Sequence, residues 1–251
     1  LAVSPDETDP VAIMKAVETQ PEGDKLSAKM TMRIKDQSGS QRVRVVRVKG
    51  MEFDGARKQL IIFESPADVE GTGLLTVDYD DGAKVDDQWL YLPALRKSTR
   101  IASSAKSGAF MGSDLSFADM TTQATDQYTY TMLDANAAVK GEACWKIEAR
   151  PATAKAKEET GYLKSTVWVS KEKLVPLQAV NLIREGKKVK QMVFGGIKKH
   201  GNIWFTEKVS ARTMQGKKTL SQTALTFTNI TFGSNDVSDA EFTQRRLEQG
   251  L

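Results

Sequence analysis

The chain has 251 residues, 40% of them hydrophobic and 27% charged, with 36 basic against 32 acidic side chains and a formal net charge of +4. That balance is ordinary for a globular chain able to bury a sizeable core, and no stretch approaches the roughly 18 consecutive apolar residues that a membrane-spanning helix requires. One cysteine, Cys144, excludes an intramolecular disulfide, and one histidine, His200, leaves little scope for imidazole acid–base chemistry.

Leu1-Ala2-Val3 opens the chain without a charged n-region or an apolar h-region, so either there is no signal peptide or this is a mature form from which it has been removed. Thr8-Asp9-Pro10 then gives a capping residue followed by proline at the first helical position, with Val11, Met14 and Val17 at helical spacing. Pro21-Glu22-Gly23 stops the run, which predicts one amphipathic helix over residues 9–20.

From Lys25 the period changes to two. Leu26, Ala28, Met30, Met32 and Ile34 alternate with polar residues, as in a strand with one buried face. After the turn Gln37-Ser38-Gly39-Ser40 the valines at 43, 45, 46 and 48 slip once, the mark of a β-bulge. Strand-like runs at 59–64, 74–79 and 88–92 complete a first group over residues 25–92, punctuated by Ser65-Pro66, Glu70-Gly71 and Asp80-Asp81-Gly82. The same rhythm returns over residues 127–232, with hairpin turns at Glu185-Gly186-Lys187, His200-Gly201-Asn202 and Gln215-Gly216-Lys217. Cys144 reads there as a small, buried filler, and His200 as an exposed loop tip. Ser238-Asp239-Ala240-Glu241 supplies a capping box for a C-terminal helix over 238–248 carrying Phe242 and Leu247.

About eleven strands in sequence with short connections predict a mainly β fold, a single large antiparallel meander. No intervening helix is long enough for a parallel crossover, which excludes a doubly wound nucleotide-binding sheet. Nothing resembles a linker, so residues 1–251 read as one domain. Basic residues concentrate at Arg42, Arg44, Arg47 and Lys49 and again at Lys187, Lys188, Lys190, Lys198 and Lys199, interleaved with apolar ones as on the wet faces of strands. They lack the interspersed aromatics of a nucleic-acid surface; a membrane headgroup or an acidic partner suits them better.

Residues 93–120 break the rhythm. This stretch is rich in small residues, carries the exposed-looking pair Phe110-Met111, and contains Ser116-x-x-Asp119, able to cap a short turn. A long insertion with apolar tips inside a meander reads as a lid or binding loop. The plain alternative is a packed loop closing one barrel mouth. Arg96 and Arg100, four residues apart, are placed to pair with Asp114 or Asp119 or to meet an anionic headgroup.

Asp87-Gln88-Trp89-Leu90-Tyr91-Leu92-Pro93, then Arg96 and Arg100-Ile101, and Met111-Gly112-Ser113-Asp114-Leu115-Ser116-Phe117 with Asp119, together resemble the outer-membrane lipoprotein-sorting-like family. This is the branch of the lipoprotein carrier superfamily associated with RND-type exporters. The resemblance implies a strongly curved, half-open β-barrel whose concave face is covered by short helices and a lid. It also implies a periplasmic carrier or chaperone for a lipid or an acylated protein, serving an RND-type inner-membrane exporter, with transient membrane-surface contact and no nucleic acid.

A carrier of acyl chains needs an apolar concavity with adaptable walls, and methionine suits that role. The candidate ligand-binding residues are Met30, Met32, Trp89, Tyr91, Arg96, Arg100, Phe110, Met111, Leu115, Phe117, Trp168 and Met192. For each methionine and aromatic the plain alternative is a core position, and alternation does not say which face is the inner one. No Gly-rich phosphate loop, metal-ligand spacing or nucleophile elbow occurs, so no catalytic residue, cofactor or metal is expected. Asp78, Asp80, Asp81, Asp86 and Asp87 read as turn residues around Gly82 rather than as a calcium loop. The competing expectation is a docking subunit of a transport or assembly complex, with a filled core and no cavity.

Overall fold

A computed structural model describes residues 2–250, so Leu1 and Leu251 of the expected 1–251 domain lie outside the described residues. Helix α1 (Pro10–Glu18) starts where Asp9 accepts a hydrogen bond from the Val11 N–H at 3.0 Å. Its buried residues are Ile13 and Ala16, whereas Val11 of the expected stripe is half exposed.

Strands β1 (Leu26–Asp36), β2 (Gln41–Phe53), β3 (Ala56–Ser65), β4 (Gly73–Tyr79), β5 (Asp87–Leu92) and β6 (Lys97–Arg100) form one antiparallel meander. The second comprises β7 (Tyr128–Val139), β8 (Glu142–Pro151), β9 (Tyr162–Ser170), β10 (Pro176–Ile183), β11 (Lys188–His200), β12 (Ile203–Gln215) and β13 (Lys218–Thr231). Pairing of β1 with β13 fuses the two meanders into a single 13-stranded sheet with β6 and β7 at its edges, a curved half-open barrel. The strand missing from the expected segmentation is β6, which lies in the segment assigned to the lid. Its residues Lys-Ser-Thr-Arg carry no apolar alternation to reveal them. The register of β2 against β3 shifts between Val45 and Val46, where the valine pattern slips.

Pairing fixes which side chains share a face. Met30 opposes Val46 and Phe227, Met32 opposes Leu225, and Met192 opposes Ala211 and Ala179. These residues form the inner core with Ile34, Val48, Ile61, Phe63 and Leu74. A second part of the inner face, around Trp145, Ile147 and Val169, is covered by Ile13 of α1. Strand β3 is a near-continuous apolar run because both of its faces are covered. Ile61 and Phe63 point inward, while Leu60 and Ile62 join Leu75, Val237, Phe242 and Leu247 outside.

The C-terminal helix is shorter than expected. Ser238 makes no capping hydrogen bond, and residues Asp239–Glu241 form only a 3-10 turn. The chain then bends to bury Phe242 edge-on against Phe53, ring centres 5.8 Å apart. Helix α3 (Gln244–Gln249) is capped instead by Thr243, which accepts from the Arg246 N–H at 3.0 Å. A further helix, α2 (Ala154–Thr160), has no apolar stripe in the sequence and starts at the Thr153 cap.

The basic runs are not uniformly solvent-facing. Arg42 and Arg44 oppose Ile34 and Met32, which directs them inward, and Arg44 is buried. Lys49 is buried on the outer face, donating to the Asp236 carbonyl at 2.9 Å. His200 is a half-buried end of β11, edge-on to Phe205 and Phe232, rather than an exposed loop tip. Cys144 is buried as expected.

Candidate functional site: an apolar chamber beside a pinned lid

Residues 101–127 carry the chain from edge strand β6 to edge strand β7 across the inner face. An Ala109–Ser116 bridge, with the Phe110 N–H donating to the Leu115 carbonyl at 2.7 Å, folds this lid back on itself. That reversal turns Phe110, Leu115 and Phe117 towards the sheet. Phe110, expected to be exposed, is wholly buried, its ring 5.8 Å from Phe63 and 5.6 Å from Phe117. Met111 takes a left-handed conformation at φ 52°, and its carbonyl accepts from Arg44 at 2.5 Å.

Three charged side chains of the lid tie it to the rest of the chain. Asp114, buried, accepts from Thr213 at 2.6 Å and Thr223 at 2.8 Å, and also from Ser221. Lys106, 1% exposed, donates to the Asp86 carbonyl at 2.7 Å and lies 3.3 Å from Glu159 of α2. Asp119 pairs with Lys190 at 2.7 Å and accepts from the Tyr162 hydroxyl at 2.6 Å. Burial, reinforced by the Asp119 charge, pushes the Tyr162 phenol well above its usual range, so it stays a neutral donor. Ser116 and Asp119 cap each other's N–H groups at 3.1 and 2.8 Å, the short turn anticipated from their spacing.

The arginines do not take part in this. Arg100 pairs with Asp87 at 2.6 Å, and Arg96 is exposed at a left-handed position between β5 and β6. Sequence proximity placed them near Asp114 and Asp119, but both aspartates are taken by strands of the second meander.

Of the other marked residues, Met30, Met32, Met192, Phe110, Leu115 and Phe117 meet in one inner cluster, with Met111 packed against it. Trp89 and Tyr91 belong to the opposite face, because Leu90 between them points inward. Trp168 also faces outward, between Val167 and Val169 of the inner cluster, with the Lys146 ammonium 5.2 Å from its ring. Under residues 110–117 of the lid, therefore, the inner face is filled.

Beside α1 it is not. A chamber of about 520 Å³ lies between α1 and the sheet, walled by Met14, Val17, Leu26, Val48, Phe194 and Phe227. Its mouth opens into a polar antechamber of about 590 Å³ that shares Glu18, Glu22 and Arg57 with it and includes Asp78. Burial, with Asp86 adding repulsion, pushes the Asp78 carboxyl up to about 7. The sequence signal for this chamber was the Met14–Val17 spacing in the helix. Of its far wall, Phe194 is an aromatic on a strand that the sequence leaves open between core and cavity, and nothing in the strand pattern pointed to Phe227.

An open half-barrel with a lid and a helix on its inner face, and an apolar chamber between helix and sheet, defines a protein of the lipoprotein-carrier fold. A family model described as "Uncharacterized protein" matches residues 55–249. Among solved structures, an outer membrane lipoprotein-sorting protein domain from Vibrio parahaemolyticus is 28% identical, with TM-score 0.84 over 95% of this chain and 97% of that one. A DUF1329 family protein from Desulfovibrio piger is also 28% identical with TM-score 0.84, over 98% and 100% of the two chains. A LolA superfamily protein from Nitrosomonas europaea shares the fold at 17% identity and TM-score 0.67, over 96% and 98%. No curated protein matches the sequence. The chain belongs to the outer-membrane lipoprotein-sorting-like family.

Proposed function

We propose that this protein is a non-enzymatic periplasmic carrier that shelters the apolar part of a lipid or an acylated protein in the chamber beside α1. The observation that carries this reading is the chamber itself: about 520 Å³ of space walled by Met14, Val17, Phe194 and Phe227 and left unfilled by the protein's own side chains. Binding sites for apolar ligands are concave and mostly apolar, with a few polar groups at one end, and the mouth beside Glu18, Glu22 and Arg57 matches that pattern. The description of the Vibrio protein as a lipoprotein-sorting domain supports the same class of cargo and the same compartment. In this reading Met30, Met32, Met192, Phe110, Met111, Leu115 and Phe117 hold the lid closed, while Trp89, Tyr91, Trp168, Arg96 and Arg100 are remote from the cargo. The partners are the cargo, an RND-type inner-membrane exporter as its source, and a transient membrane surface.

A docking subunit is favoured by one observation, the filled core beneath the lid. The two readings separate on uptake. Delipidated protein titrated with a neutral apolar fluorophore should bind about one per chain, and Val17→Trp, which intrudes on the chamber from α1, should abolish binding while thermal unfolding stays cooperative. A wild-type protein that takes up no fluorophore, and that carries no lipid in native mass spectra of envelope-purified material, favours the docking subunit.

A further inference from the structure

A second, smaller recess adjoins the chamber. It encloses about 220 Å³ under residues 119–122 of the lid and shares Glu22, Arg57, Gln59 and Thr122 with the chamber wall. Its lining is polar for a reason visible in the register. Along one inner row Leu26 opposes Gly50, Gly50 opposes Gln59, Gln59 opposes Thr76, and Thr76 opposes Gln88. The row thus passes from an apolar wall at the chamber to Gln59 and Thr76 at the recess, with Gln88 buried beyond them.

The charges there are unevenly matched. Asp119 is paired with Lys190. Arg57 is the cross-strand partner of Asp78, yet its guanidinium turns away to Glu22 at 3.0 Å and to the Gly23 carbonyl at 2.8 Å, and also meets Glu52. Asp78 keeps one strong donor, the Thr122 N–H at 2.7 Å, and the charges acting on it, from Asp86 and Glu22, are negative. Beside it the Thr76 hydroxyl, on a side chain 2% exposed that lines the recess, has no hydrogen-bond partner among the described residues. The Gln88 amide oxygen, wholly buried and opposite Thr76, has none either. Buried polar atoms are normally satisfied, so a free hydroxyl next to an unpaired carboxylate in the recess fits a donor-rich ligand.

We propose that the recess receives the ammonium head of an amphiphilic cargo whose apolar chain lies in the chamber, with Asp78 as its counter-ion and Thr76 as a further acceptor. An ammonium carries three donors and no acceptor, which fits a site that offers carboxylate and hydroxyl oxygens. A carboxylate or phosphate head would bring a further negative charge against Asp78 and Glu22. This rests on the carrier reading above and adds to it the chemistry of the cargo's polar end.

The test uses three ligands of one chain length, dodecylamine, dodecanol and dodecanoate, displacing the neutral fluorophore from delipidated full-length protein at pH 8. Dodecylamine should bind about tenfold more tightly than dodecanoate, with dodecanol between them. Asp78→Asn should bring the amine to the alcohol's affinity and leave the alcohol's unchanged; Thr76→Val should weaken the amine severalfold. Equal or tighter binding of dodecanoate, or an amine preference that survives Asp78→Asn, overturns the headgroup assignment while the carrier reading stands. No binding of the fluorophore or of any of the three overturns both.

Discussion

The Lys190 ammonium lies 2.7 Å from the Asp119 carboxylate, with both side chains less than a tenth exposed, and this pair ties the lid to β11 across 71 residues of chain. A buried ion pair adds little net stability over an apolar pair of the same volume, but removing one partner strands the other charge in a dry site. Lys190→Met should therefore cost about 3–5 kcal/mol, and Lys190→Met with Asp119→Leu should recover most of it. Urea unfolding of the two variants measures the difference; equal losses in both would mean that the pair is not the latch.

The lid is also held by its own aromatic cluster. Phe110 is buried against Phe63, and Phe117 against Phe110, so truncation of Phe110 or Phe117 to alanine should cost about 3–5 kcal/mol each. Phe117→Asp should lose more, as it also buries a charge. Hydrogen exchange of residues 101–127 should accelerate in each variant before that of β11 and β12; uniform acceleration would show that lid and sheet unfold as one.

Stability should depend on pH through Asp78. Its carboxyl is raised from 3.8 to about 7 in the folded chain, chiefly by burial. A raised carboxyl binds its proton more tightly folded than unfolded, so its contribution is fully present below about pH 4 and is lost as pH rises towards 7. Asp78→Asn should flatten the curve between those values and raise the unfolding midpoint at pH 8 relative to the wild type. A variant curve parallel to that of the wild type across this window would assign the dependence to other groups.

Gly23 sets the exit from α1 at the chamber mouth. It has φ +86°, and a Cβ there would strike the Phe232 ring and come 2.8 Å from Ile203 Cδ1. Gly23→Ala should cost about 1–3 kcal/mol and weaken fluorophore uptake, because α1 is displaced from the sheet. Calorimetry and the uptake assay read the two effects separately.

Arg100 offers a contrasting outcome. Its pair with Asp87 is exposed, at 43% and 27%, so Arg100→Ala should change stability by no more than ~1 kcal/mol and leave lid exchange unaltered. Faster exchange at residues 110–119 would restore the arginine to the lid.

Much of the fold was legible along the chain because its signals are local. Strict alternation from Leu26 to Ile34, the valine slip at Val45-Val46, the Asp9-Pro10 helix start and the Ser116–Asp119 turn all depend on neighbours within a few residues, and each appears in the structure. Strand β6 and helix α2 were missed because Lys97–Arg100 and Ala154–Thr160 carry no apolar periodicity; their pairing and burial come from partners distant in sequence.

The site was legible only in part. Alternation states that Trp89 and Leu90 point to opposite sides, but not which side is inner; cross-strand register decided that, sending Trp89, Tyr91 and Trp168 outward and Arg44 and Lys190 inward. By itself the sequence determined a lidded antiparallel meander and its family, since periodicity and turn chemistry are properties of contiguous residues. Only the tertiary structure decided that the lid is packed full at Phe110, Leu115 and Phe117 and that the main open space lies beside α1 at Met14 and Val17. A cavity is the absence of contact between segments far apart in the chain, and no local pattern encodes it.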